Sequence, residues 1–175
     1  MEIKPFDEDA LFLGQTILES IQSLPKFSQQ RMFKMFEELG IPELMPEKWY
    51  PFQILMEFYK QLAKNFGPNT LFDMGKVIPE NAIFPPGIDS IDAGLGSVDT
   101  AYNMNHRGYV GFHQMVSHDT ETKTIIMKAY TPFPAHVTRG VYTGMARRFK
   151  TGVKVAIDDA KQEHELLHRY IITYR

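Results

Sequence analysis

Through the first hundred residues the apolar positions recur at intervals of three and four; just past Arg107 they switch to alternate residues. That change of rhythm predicts helices first and strands afterwards. Leu13, Ile17, Ile21 and Leu24 predict a helix over 8–23 that Pro25 ends. Met32, Met35, Phe36 and Leu39 predict a second, from Ser28 as N-cap to Leu39, with Gly40 in the stop position. A third opens at Trp49-Tyr50-Pro51, buries Leu55, Phe58, Tyr59, Leu62 and Phe66, and halts at Gly67-Pro68. A short helix over 69–78 is closed by Pro79. A long one over 88–105 presents Ile88, Ile91, Leu95, Val98 and Tyr102 on one stripe. Gly94 and Gly96 inside it cost about 1 kcal/mol each relative to Ala, so another helix or a ligand is expected to approach closely there.

Beyond Arg107 two alternating runs, 109–116 and 124–130, flank the polar turn Asp119-Thr120-Glu121-Thr122 and predict a hairpin. A helix follows over 135–149. Val153, Val155 and Ile157 mark a third strand, and Tyr170, Ile172 and Tyr174 a fourth. The predicted fold class is α+β: helices packed on one face of a four-stranded antiparallel sheet, in the order strand-strand-helix-strand-strand. The 175 residues suit one domain, with 1–106 mainly a helical layer and 107–175 the sheet with its inserted helix.

Composition narrows the chemistry. The absence of cysteine excludes disulfides, thiolate metal sites and cysteine nucleophiles and accords with a cytoplasmic location. The first residues, Met1 to Asp7, lack the layout of a signal peptide, and no apolar run is long enough for a membrane span. With a net charge of −2 and one tight basic cluster, Arg147, Arg148 and Lys150, nucleic acid is not an expected partner. Thirteen Phe and ten Met can fill a plain core or line an adaptable apolar pocket.

Several residues could carry function. His106 and Arg107 end the long helix, where cations suit the dipole; with Tyr102 they could instead bring polar groups to the rim of a pocket between helix and sheet. His113 lies mid-strand, opposite Val110 and Phe112 in the alternation. Tyr102, His106, Arg107 and His113 are therefore the candidate ligand-binding set. Arg139, Thr143 and Arg147, four apart on the late helix, make a candidate partner or anion stripe. His164-Glu165-Leu166-Leu167-His168 spells the zinc-protease motif. It falls in a short polar connection between two strands, which predicts a surface turn, and no metal or other cofactor is expected.

Trp49-Tyr50-Pro51, the run Gly75 to Pro86, Ala101 to Arg107, Thr131-Pro132-Phe133-Pro134 with Arg139-Gly140, and Gly144 to Phe149 together resemble a bacterial protein family. That family is similar, more remotely, to the superfamily of four-vinyl-reductase-like domains, TRAPP vesicle-tethering subunits and haem-nitric-oxide-binding domains. The resemblance implies helices on an antiparallel sheet, and either sensing of small hydrophobic molecules or dimeric scaffolding. Ala135 and the segment 162–169 stand where relatives carry cysteine, and the Tyr-x-Ser-x-Arg signature of the haem-binding branch is absent. The expected function is a non-catalytic small-molecule-sensing domain with an apolar pocket between helix 88–105 and the sheet. The expected partners are a small hydrophobic ligand and a second copy of the chain. A homodimeric scaffold is the alternative, and a metal-dependent hydrolase built on His164 and His168 a remote one.

Overall fold

A computed structural model describes residues 3–161 and 164–175. Met1 and Glu2, part of the leader expectation, and Gln162 and Glu163, part of the polar connection, lie outside the described residues.

The helical half contains strands that apolar spacing did not predict. β1 (Leu11–Leu13) precedes α1 (Gly14–Gln22), so the first helix starts six residues later than its stripe implied. β2 (Trp49–Pro51) occupies the stretch read as a helix opening, and α3 (Phe52–Phe66) starts one residue after Pro51. With β3 (His106–Arg107) these make a small antiparallel sheet in the order β2-β1-β3. Strands of two or three residues are too short to display a period, and their partners lie far apart in the chain. α2 runs Lys26–Glu38 behind Pro25, and α4 runs Pro68–Asn81 through Pro79. The Pro79 ring therefore sits inside a helix that it was expected to end.

The long helix is two. Ser90 caps α5 (Ile91–Gly96), its hydroxyl accepting from the Ala93 N–H at 3.2 Å. Ser97 separates it from α6 (Val98–Met104) and donates its own hydroxyl to the Gly94 carbonyl at 2.9 Å. Two glycines in six residues weaken the helix just where that serine offers the backbone an alternative bond. Gly94 does serve close approach, because a methyl there would press on Met145 and Phe149.

The C-terminal half follows the predicted order. β4 (Phe112–Asp119) and β5 (Thr124–Tyr130) form the hairpin; α7 (Ala135–Arg147), β6 (Lys154–Ile157) and β7 (Leu167–Thr173) complete an antiparallel sheet ordered β4-β5-β7-β6. Ile125, Met127 and Ala129 line up with Ile172, Tyr170 and His168 on its covered face. On β4 the inward positions are His113 and Met115. Phe112 and Val116 point out, and a register shift lies between Met115 and Ser117.

Two apolar clusters result. One joins α1, α2, α3 and α4 to the small sheet. The other joins α5 and α7 to the large sheet. α7 spans both, with Val137 in the first and Tyr142, Met145 and Ala146 in the second. It crosses α4 backbone to backbone: a methyl on Gly75 would meet the Val137 carbonyl, and methyls on Gly140 and Gly144 would meet the carbonyls of Phe72 and Lys76. No helix among the described residues is long and apolar enough to cross a membrane.

Candidate functional site

Where the two clusters meet, α1, α3, α6 and α7 leave a cavity of about 70 Å³, or about 640 Å³ when its mouth and the crevices between side chains are included. It lies between α6 and the helical layer, with His113 as the one contribution from the large sheet. It is thus not the expected space between an 88–105 helix and that sheet. Tyr102, His106 and His113 line it; Arg107 does not, and instead stacks its exposed guanidinium on Trp49, 4.0 Å from the ring centre. The structure therefore brings three of the four candidate ligand residues together.

Asn105 holds the end of α6 in place. Its amide donates to the carbonyls of Ile83 and Ala101 at 2.8 and 2.7 Å, and its oxygen accepts from Thr16 Oγ1 at 2.6 Å and from the Ile83 N–H at 3.1 Å. All four ordinary bonds of that side chain are made, which ties α1, the loop at Ile83 and α6 together. The next residue, His106, places Nδ1 2.7 Å from the Tyr102 carbonyl. A carbonyl only accepts, so Nδ1 carries the proton and Nε2 carries a lone pair. His113 puts Nδ1 2.7 Å from the Tyr142 hydroxyl, and its main-chain N–H donates to Asp99 Oδ1 at 2.7 Å. The Tyr102 ring lies against both imidazoles, at 4.5 and 4.8 Å, and its hydroxyl donates to the Val110 carbonyl at 2.8 Å.

Burial keeps both imidazoles neutral. It lowers His106 to about 4 despite the Tyr102 carbonyl, and lowers His113 to about 3 with the help of neighbouring His106. Burial also raises the hydroxyls of Tyr59, Tyr102 and Tyr142 above their ordinary range. Tyr59 was read only as core. It is fully buried, lines the cavity, and its hydroxyl has no hydrogen-bond partner among the described residues. Nothing in helical spacing separates such a tyrosine from the phenylalanine beside it.

The remaining candidates are dispersed. Thr143 is buried with its hydroxyl on the Arg139 carbonyl, Arg139 stacks on Phe72, and Arg147 is exposed, so the three do not form one open stripe. His164 is exposed and packs on Tyr130, whereas His168 sits in β7 facing the covered side of the sheet. Among the described residues no group of three or more His, Asp or Glu is placed to hold a metal. The zinc-protease spelling here has no helix beneath it.

No family model and no curated protein matches the chain. Solved structures do. An Fe(II) unliganded H-NOX protein mutant from K. algicida is similar over 93% of this chain and 96% of its own, at TM-score 0.68 and 13% identity. An oxygen-binding H-NOX domain described as related to soluble guanylate cyclases covers 91% of this chain and 92% of its own, at TM-score 0.60 and 12% identity. A structure from work on heme redox potential and porphyrin distortion covers 90% and 94%, at TM-score 0.63 and 11% identity. The chain shares the fold of these H-NOX structures.

Those structures correct the partner expectation. The group named with this fold is heme, an iron porphyrin carrying two carboxylates, not a small hydrophobic molecule held in a homodimer. A purely hydrophobic molecule would leave Tyr59 Oη buried and unpaired.

Heme itself does not fit the residues present. The imidazoles of His106 and His113 are suitable nitrogen donors, but 70 Å³ is far below the roughly 300–1,000 Å³ of ordinary ligand pockets. Among the described residues, no lysine or arginine lines the cavity to pair with the two carboxylates. The Thr131-Pro132-Phe133-Pro134 turn, which puts Phe133 into the wall, supplies none either.

Proposed function

We propose that this chain is a non-catalytic small-molecule-sensing domain, and that its ligand occupies the cavity between α6, α7 and the helical layer. Tyr102, His106 and His113 are the polar wall, and Tyr59 lines the same cavity. The observation that carries this reading is Tyr59 Oη, fully buried in the cavity wall and without a hydrogen-bond partner among the described residues. Beside it, the half-buried His106 commits its Nδ1 proton to the Tyr102 carbonyl, which leaves Nε2 as an acceptor on the same wall. The shared fold with H-NOX domains supports it.

α7 offers the readout. Val137, Thr138 and Val141 line the cavity, while Tyr142, Met145 and Ala146 of the same helix pack on the large sheet. A ligand that favours one setting of α7 over another shifts the population of the sheet-side packing as well.

The test is amide NMR of the wild type and of Ala101→Leu, which fills part of the cavity, against neutral compounds of up to about 150 Da. Saturable shifts around the cavity that continue along α7, and that Ala101→Leu abolishes, are expected. Shifts confined to surface residues, or unchanged in the variant, would remove the cavity as the ligand site.

A further inference from the structure

We infer that the ligand of this cavity is an uncharged molecule of no more than about five non-hydrogen atoms, carrying a hydroxyl or amide group that donates to His106 Nε2 and accepts from Tyr59 Oη. The inference rests on the cavity being the ligand site and adds the chemical class that the site accepts.

Size sets the first bound. A cavity of about 150 Å³ holds benzene, with six carbons; this one measures about 70 Å³. Charge sets the second. Among the described residues, no Lys, Arg, Asp or Glu lines the cavity, so an ion inside would be desolvated with nothing to compensate it. Polarity sets the third. The Nε2 of His106 is an acceptor by its tautomer. Tyr59 Oη is buried without a partner among the described residues, so its proton is open to donation. Tyr102 is not in competition, because its hydroxyl proton is already given to Val110. Tyr59, His106 and Phe133 all line the cavity, and both the Tyr59 and His106 rings pack on Phe133, with centroids 5.3 and 6.0 Å away, which is where the proposed molecule sits. A diatomic gas without a proton to give leaves Nε2 unpaired; a short alcohol or a simple amide pairs both atoms.

So few atoms bound the affinity. At the best efficiency known for tiny ligands, the dissociation constant is no tighter than about 3 µM. The ligand therefore exchanges quickly and reports its ambient concentration.

Long-range 1H–15N NMR of the histidine rings tests this, with four probes: 1-propanol, acetamide, acetate and xenon. The two neutral donor–acceptor probes are expected to shift His106 Nε2 saturably, and acetate at least tenfold more weakly. Tyr59→Phe keeps the shape and removes the hydroxyl. It is expected to weaken propanol and acetamide about tenfold and to leave xenon unchanged. Xenon entry without a response to propanol or acetamide overturns the ligand class and leaves the cavity standing. Failure of all four overturns the cavity reading itself. Acetate binding as tightly as acetamide, or propanol unaffected by Tyr59→Phe, also overturns the class.

Discussion

The cavity and the outer end of the large sheet both bury polar atoms without partners, under opposite electrostatic conditions. In the cavity the orphan is Tyr59 Oη, among neutral rings and aliphatic groups. At the sheet end the orphans are His136 Nδ1, Arg139 Nε and both ring nitrogens of His168, where α7 begins above β7. Arg139 and Asp159 bear on those imidazoles: burial lowers His136 and His168, Arg139 lowers His136 further, and Asp159 opposes the shift in both. The difference separates two uses of a buried polar group. Beside unfilled space in a neutral lining it is available to a ligand. In a charged cluster its neighbours set its protonation, and it serves electrostatics more than recognition.

The sharpest way to break the comparison is to remove what the two regions share. Gly140→Val on α7 drives a side chain into the Phe72 carbonyl of α4. It is expected to cost about 3 kcal/mol or more, through overpacking against backbone, as read by chemical denaturation. A loss below 1 kcal/mol would mean that α4 and α7 are free to separate.

Acid titration comes next. His106 and His113 are near 4 and 3 when folded and about 6.5 when unfolded. The unfolded chain therefore binds more protons, so their contribution is intact above pH 6.5 and is lost as pH falls from there towards 4 and 3. Each costs up to about 1.4 kcal/mol per pH unit within its window. Denaturation at pH 7, 6, 5 and 4 should show His113→Phe flattening that slope more than His168→Phe does. Equal slopes would erase the distinction between the regions.

Addition of hemin is expected to give no stoichiometric complex with a shifted Soret band. A tight one would show that the cleft opens far beyond 70 Å³. The smallest effect belongs to Tyr59→Phe, which deletes an unsatisfied buried hydroxyl. It should stabilise the ligand-free protein by about 1 kcal/mol; destabilisation instead would show that the hydroxyl already has a partner in solution.

Much of the fold was legible along the chain. The shift in apolar spacing past Arg107 marks where helices give way to the hairpin. The strand-strand-helix-strand-strand order follows from alternation in 112–119, 124–130 and 154–157, because each strand pairs with neighbours that obey the same two-residue period. The site was legible in part: Tyr102 and His106 were found as a polar end to an apolar stripe, and His113 as a polar member of an alternating run. Arg107 was misplaced because β3 pairs with Leu11 and turns that side chain outward onto Trp49.

What spacing by itself determined is local: which stretches coil, which extend, and which faces are greasy, since those follow from the pitch of each element. What the tertiary structure alone decided is non-local. The three short strands at 11–13, 49–51 and 106–107 exist only by pairing across long stretches of chain. The division of the 88–105 stripe into α5 and α6 depends on Ser97, Gly94 and the packing of Met145. Tyr59 borders a cavity instead of closed core because α3, α6 and α7 stop short of filling the space beside it, and a void is a property of several elements at once.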